Sequence, residues 1–279
     1  MDVSIAKNSV KADVKTGLRL TYRAGFLTLG AWLTLAFLIV TLLASEFSAR
    51  QPATVALDVG ISFIRLALPV FAILLVQELL SREFERRLYL TTLTYPRSRS
   101  YWLVGRLFVV GLVLIVLLIV LATFLAGVVR YVSSTYDQST PVALGVPYLI
   151  TLVFLAVDLM VAVAIATLLA VTTTTPSFVL IGTLGFVLIA RSYTPIIQLL
   201  QGADYLVDKF ADPKLYKDSL NGLSFLLPDL GTLDVRMIAL YNKMEFLPGH
   251  WPLLLTATLA YVLALVSCAV WRLNKRQFS

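Results

Sequence analysis

The sequence is short of charge, cysteine and histidine, and each shortage excludes a class of protein. Only 14% of its 279 residues are charged and 59% are hydrophobic, whereas a soluble domain usually has about a quarter of its residues charged. We therefore expect an integral membrane protein. The single cysteine, Cys268, can form neither an intrachain disulfide nor a cysteine-based metal site. The single histidine, His250, is expected at the edge of a span rather than as a ligand.

Motifs for two kinds of catalysis are also missing. The phosphate-binding sequence G-x-x-x-x-G-K-[ST] does not occur, so the chain has no usual means of binding ATP. An intramembrane serine protease would need a Ser–His pair within the membrane and a G-x-S-x-G-like turn. The only histidine is at a span edge and the turn is absent. We predict no catalytic residue, no metal site and no cofactor in this chain.

Six apolar runs indicate an all-α membrane protein with six transmembrane helices. They lie at about residues 25–44, 54–77, 107–129, 146–171, 177–190 and 251–271. Pro69 is expected to kink the second run. The fifth run is short, and we expect its continuation to be broken near Pro195.

The distribution of lysine and arginine favours cytoplasmic termini. Five bases lie in residues 1–23, six between residues 78 and 106 and three after residue 271, against eight in the outer segments. An excess of bases in short loops is typical of the cytoplasmic side. The same distribution explains the net charge of +7 better than nucleic-acid binding does. Bases in residues 1–23 recur every four positions beside an apolar stripe, which favours an interfacial helix over a solvated basic tail.

Residues 78–100 are predicted to form an amphipathic helix on the inner membrane surface. Its acid–base pairs stand four residues apart with the acid first, the better orientation on a helix: Glu78–Arg82 and Glu83–Arg87. Its apolar edge has the same spacing: Leu80, Phe84 and Leu88. Pro96 ends the helix. The alternative is an ordinary interfacial loop that only anchors the topology.

Two sets of motifs resemble a known family of transporters. The first comprises Glu78, Glu83, Arg87, Tyr95-Pro96-Arg97-Ser98-Arg99 and Gly105-Arg106. It resembles the cytoplasmic signature of ABC-2 type permeases, although Arg87-Leu88 stands where many members have glycine-threonine, and Arg106 where lysine is common. The second comprises Leu226-Leu227-Pro228-Asp229-Leu230 and Leu233-Asp234-Val235-Arg236. It resembles the outer loop of the branch associated with multicopper-enzyme maturation, the NosY-like permeases.

This resemblance implies a fold, partners and a mechanism. The fold would be a type V exporter-like permease with an N-terminal interfacial helix, a cytoplasmic coupling helix and re-entrant outer helices within residues 192–250. The plain alternative for residues 192–250 is an extracytoplasmic loop that packs on itself. Two copies would pair, as a homodimer or a heterodimer, and each would dock a separate cytoplasmic ABC ATPase that binds the ATP.

The implied location is the bacterial inner membrane, where the complex would move a substrate outward or across the membrane. A periplasmic protein is a possible further partner. The residues expected to contact the ATPase are Glu78, Arg82, Glu83, Phe84, Arg86, Arg87, Pro96 and Arg99.

Arg65 and Asp158 are charges predicted to lie inside the membrane, at similar depth near its middle. A lone charge there costs at least about 2.5–3.5 kcal/mol, so each needs a partner or a wet cavity. A pair between them would bridge the second and fourth spans, either as a structural link or as a polar point on the translocation path. An ion-coupled secondary transporter that uses these two charges and needs no ATPase is the alternative function.

Overall fold

The computed structural model of the chain describes residues 3–48, 50–82, 99–135, 142–173, 175–202 and 228–275. Five of the residues predicted to contact an ATPase lie outside these ranges: Glu83, Phe84, Arg86, Arg87 and Pro96. The described α-helices are α1 (Val3–Arg23), α2 (Phe26–Glu46), α3 (Pro52–Val76), α4 (Arg99–Thr135), α5 (Val146–Thr172), α6 (Pro176–Gly202), α7 (Arg236–Tyr241) and α8 (Trp251–Lys275). A π-helix, Gln77–Ser81, continues α3, and a 3₁₀ turn, Met244–Phe246, follows α7.

Six of these helices are long and apolar enough to cross a membrane: α2, α3 with its π-helical continuation, α4, α5, the part of α6 from Pro176 to Tyr193, and α8. The prediction of an all-helical protein with six spans is confirmed. α4 is longer than its apolar run, with 37 residues and therefore a length of about 55 Å. Its ends extend well beyond the hydrocarbon, which is about 30 Å thick.

The predicted break near Pro195 is wrong, because α6 continues through it to Gly202. A proline removes one backbone N–H from a helix, and membrane helices tolerate this because neighbouring groups re-satisfy the freed carbonyl. α3 likewise continues through Pro69. A proline in an apolar run therefore did not mark a helix end in this chain.

The two ends of the bundle are distinguished by the contacts between elements. At the end that we call the terminal end, α3 finishes, α6 begins, and the Gln77 side chain donates a hydrogen bond to the Pro176 carbonyl. The opposite, distal end holds the start of α3 and of α5. There the Ala143 N–H donates to the Ala239 carbonyl at 3.1 Å, which joins the approach to α5 to α7.

A short hinge at the terminal end separates α1 from α2. Gly25 has φ +78°, in the left-handed region, so the chain turns between the two helices. A residue with a Cβ would lose about 1–2 kcal/mol in this conformation.

α1, which precedes this hinge, packs closely on α4: a Cβ placed on Gly17 would lie 2.9 Å from Val109 Cγ2. Because Gly17 has no side chain, α1 and α4 can approach each other closely here.

α3 and α5 are the central spans, and both are largely buried by their neighbours, whereas α8 is the least buried of the six. The main core joins α2, α3, α4 and α5. A second apolar cluster lies between α5 and the segment Pro228–Tyr241, where Leu230, Leu233 and Ile238 pack among Phe154 and Val161. This segment therefore enters the bundle instead of lying over its distal end.

Candidate functional site

Three aspartates and three arginines form a continuous chain of ion pairs inside the bundle, which we call the ion-pair chain. It runs Asp58–Arg236–Asp234–Arg65–Asp158–Arg191. The charges alternate in sign and cancel formally. Charges within membrane spans pair with one another in this way because a lone charge there is expensive.

The ion-pair chain connects four separate elements. Asp58 and Arg65 stand seven residues apart on α3, a spacing of two turns that places both on one face. Asp158 comes from α5 and Arg191 from α6. The segment Pro228–Tyr241 supplies the other two charges. A displacement of α3 would therefore act directly on α5 and on this segment.

Arg65 lies in the middle of the ion-pair chain and makes three contacts. Its Nε lies 3.8 Å from Asp158 Oδ2, its Nη1 pairs with Asp234, and its Nη2 donates to the Leu230 carbonyl at 2.8 Å. A guanidinium can make all three contacts because it presents five N–H donors in a planar fork. The Leu230 carbonyl lies outside any helix, so Arg65 satisfies a backbone acceptor that would be costly to leave unpaired inside the bundle.

The structure brings the predicted partners Arg65 and Asp158 together, but each also has a nearer partner. Asp158 is only 3% exposed and accepts a hydrogen bond from Arg191. Arg65 is closest to Asp234. Arg191 was not predicted to belong to this site: the fifth span was expected to end at Ala190, one residue earlier, which placed Arg191 in the outer segments.

Exposure rises along the ion-pair chain. The side chain of Asp158 is 3% exposed, that of Asp234 23% and that of Asp58 46%. At the exposed end, Arg236 Nη1 lies 3.0 Å from Asp58 Oδ1 and donates to Ser62 Oγ at 2.5 Å. The ion-pair chain thus leads from the interior of the bundle to its surface near the distal end.

Local hydrogen bonds hold the segment Pro228–Tyr241 in shape. Asp229 Oδ1 accepts from the backbone N–H of Gly231 at 3.1 Å and of Thr232 at 3.3 Å. Such side-chain-to-backbone bonds are typical of Asx turns. The turn fixes the backbone just before Asp234 and so positions its carboxylate toward Arg65.

Only the first turn of the predicted coupling helix, from Glu78 to Arg82, lies within the described ranges. Glu78 and Arg82 form the expected ion pair, at 2.5 Å. Leu80 is fully buried in the core, and Phe84 and Leu88, the other two residues of the predicted apolar edge, lie outside the described ranges. α3 does not end at Gln77 but continues as the π-helix Gln77–Ser81, which contains Leu80.

Arg99 begins α4 and contacts the last turn of α8. Its Nη1 donates to the Leu273 carbonyl at 3.2 Å and lies 3.5 Å from the Asn274 carbonyl. A cation at a helix C-terminus satisfies free carbonyls and interacts favourably with the helix dipole. Arg99 therefore joins the terminal ends of α4 and α8, and its predicted contact with an ATPase stays a prediction.

Acidic, histidine and cysteine side chains do not cluster as a metal site within the described ranges: no three of them come together. The aspartates of the ion-pair chain instead face arginines.

Comparison with known proteins identifies one family. A family model described as ABC-2 family transporter protein matches residues 12–277. The match includes all six candidate spans and every residue of the ion-pair chain. No curated protein matches the chain.

Proposed function

Because this chain belongs to the ABC-2 family of transporter proteins, we propose that it is the membrane-spanning permease subunit of an ABC transporter driven by a separate ATPase. The sequence contains no G-x-x-x-x-G-K-[ST], so ATP is bound by the partner chain and the permease itself needs no cofactor. The ATPase docks on the residues that the family signature indicates, from Glu78 to Arg99. The working unit contains two permease copies, in the simplest case identical.

The observation that supports this mechanism most directly is the continuity of α3. With its π-helical continuation it runs without a break from Pro52 to Ser81. The helix that carries Arg65 thus carries Glu78 and Arg82 at its terminal end, roughly 20 Å away. Pressure on the coupling segment would act on α3 directly because no loop interrupts this helix, and the ion-pair chain would pass the movement to α5, α6 and the segment Pro228–Tyr241.

The charge balance of the site favours this mechanism over an ion-coupled secondary transporter. Ion coupling through Asp158 would require a carboxylate that is able to take up a cation. Asp158 instead lies between Arg65 and Arg191, whose positive charges compete with any incoming cation. The three aspartates and three arginines cancel, so the site has no surplus negative charge for a cation.

We propose an orientation and a branch within the family as well. The excess of bases in residues 1–23, 78–106 and 272–276 favours placing the terminal end in the cytoplasm of a bacterium and the distal end in the periplasm. The motifs Leu226–Leu230 and Leu233–Arg236 favour the branch associated with multicopper-enzyme maturation, whose cargo would be a sulfur species or metal-related, moved outward or across the inner membrane. A periplasmic partner would then receive it.

Cysteine cross-linking tests the ATPase contact and the orientation together. In a Cys268→Ser background, we expect the variant Phe84→Cys to cross-link to an ABC ATPase that co-purifies with the permease. The cysteine at position 84 should react with a membrane-impermeant thiol reagent only when the reagent has access to the cytoplasmic side of the membrane. The control Phe246→Cys, at the distal end and 48% exposed, should give no ATPase cross-link and should react from the other side. Purification of an active transporter without any ATPase, or labelling of both cysteines from one side, would refute the proposal.

A further inference from the structure

A groove of about 780 Å³ opens at the terminal end of the bundle, away from the ion-pair chain. Its walls are the first turns of α2, the last turns of α3 with the π-helix, and the first turns of α6. α2 and α6 both pack against α3, so α3 forms the floor between them. None of the six charges of the ion-pair chain lines it. The groove is therefore separate from the ion-pair chain, although Glu78 and Arg82 in its lining also belong to the segment on which the ATPase is proposed to dock.

The lining of the groove changes from polar to apolar with depth. On the α3 wall, Glu78 and Arg82 lie at the end of the bundle and Leu74 lies one to two turns deeper. On the α6 wall, Ser177 lies at the end and Ile181 about 6 Å deeper. Both walls thus place polar groups at the membrane boundary and apolar groups toward the hydrocarbon. A molecule with a polar head and an apolar tail matches this gradient.

The apolar part of the groove is open rather than covered. Trp32 of α2 is 66% exposed and Ile181 of α6 is 68% exposed, although both line the groove. Such side chains suit contact with acyl chains, and tryptophan is enriched near the boundary of the bilayer. A lipid tail between α2 and α6 would cover both.

The polar part of the groove offers one base and one acid side by side. Arg82 Nη1 lies 2.5 Å from Glu78 Oε2, while the Arg82 side chain remains 51% exposed. The guanidinium therefore has donors left for a phosphate, which it binds well because of its planar fork. The neighbouring carboxylate disfavours a purely anionic head and accepts hydrogen bonds from an ammonium. It accepts none from a quaternary choline, which has no N–H.

We propose that this groove binds one phospholipid of the bilayer with an ethanolamine headgroup. Its phosphate contacts Arg82, its ammonium contacts Glu78, and an acyl chain lies against Trp32 and Ile181. The inference needs only a protein that spans the membrane. It stands whether or not an ATPase drives transport.

Photo-cross-linking of the full-length protein in nanodiscs tests the proposal. The probes are phospholipids with a diazirine in one acyl chain and an ethanolamine, glycerol or choline headgroup, each used against a background of unlabelled lipid. We expect the ethanolamine probe to label the peptides around Trp32 and Ile181 saturably and at least about fivefold more than the other two probes. Ile181→Trp, which fills the groove, should abolish most of this labelling. The matched control Leu263→Trp, on α8 and 67% exposed, should leave it unchanged.

Two further variants separate the roles of the headgroup contacts. Arg82→Gln should lower labelling by all three probes, because each contains the phosphate. Glu78→Gln should retain labelling but remove the preference for ethanolamine over choline. Three results would overturn the proposal: equal labelling of the groove and of the α8 surface, no headgroup preference in the unaltered protein, or cross-links that show a second copy of the chain in the groove.

Discussion

Asp158 is the most buried charge of the ion-pair chain, so its removal tests the chain most severely. The substitution Asp158→Asn keeps the size of the side chain and removes its negative charge. Arg65 would keep its ion pair with Asp234 and its hydrogen bond to the Leu230 carbonyl at 2.8 Å. Arg191, whose side chain is 16% exposed, would lose its carboxylate.

The expected cost follows from the unpaired arginine. An uncompensated arginine at the centre of a membrane helix costs about 2.5–3.5 kcal/mol on insertion scales. Asp158→Asn should therefore destabilise the protein by about 3 kcal/mol. Arg191→Met should cost less, because Asp158 keeps Arg65 at 3.8 Å. Since the double variant has no stranded charge, it should be more stable than Asp158→Asn alone, by about 2 kcal/mol.

Unfolding in mixed micelles, followed by helix content and by tryptophan fluorescence, measures these differences in a double-mutant cycle. The coupling energy between Asp158 and Arg191 should lie in the upper part of the range of about 0.5–3 kcal/mol that is found for residues in contact. A parallel cycle with Arg65→Met and Asp158→Asn measures the longer contact and should give a smaller value. Additive effects within about 0.5 kcal/mol in both cycles would show that these charges do not interact and would refute the ion-pair chain.

Two further predictions concern the packing of helices around α3 and α4. Gly60→Ala should destabilise the protein by about 1–3 kcal/mol, since the added Cβ would lie 2.3 Å from Leu125 Cδ1. A second substitution, Leu125→Ala, should relieve this clash. The control Gly127→Ala should be nearly neutral, because its added Cβ would meet nothing within 4 Å. Stability equal to the control in thermal unfolding would contradict the close approach of α3 and α4. Arg99→Gln should weaken the last turn of α8 by about 0.3–1 kcal/mol, seen as faster amide hydrogen exchange near Leu273, whereas unchanged exchange there would show that the guanidinium contact with that carbonyl is not stabilising.

The spans could be predicted from the sequence because a membrane-crossing helix is recognisable from its apolar composition and its length alone. Runs of apolar residues long enough to cross a bilayer have few alternatives, and all six reappear as helices in the structure. Their ends were less predictable. The run from residue 107 to 129 is the apolar centre of a helix that begins at Arg99 and ends at Thr135, because side chains beyond the run, such as Trp102, Leu103 and Val132, are buried against the rest of the bundle.

Only part of the candidate site could be predicted from the sequence. Arg65 and Asp158 stand alone in apolar runs, which makes them visible and predicts similar depth. Asp234 and Arg236 lie in a segment without a long apolar run, so nothing in the pattern indicates that Leu230 and Ile238 are buried beside α5. The depth of such a segment depends on packing between parts of the chain that are distant in sequence, and a single sequence does not contain that information.

The wide separation of the charges in the sequence has a consequence for biogenesis. Arg65 and its backbone acceptor at Leu230 are 165 residues apart. At a synthesis rate of roughly 5–20 residues per second, Arg65 leaves the ribosome roughly 10–30 s before Leu230 does. During that interval α3 contains a cation whose final acceptors are still being made. The early spans therefore have to carry this charge, at a cost of about 2.5–3.5 kcal/mol, until the segment Pro228–Tyr241 has been synthesised, so the ion-pair chain is completed only after most of the polypeptide has been made.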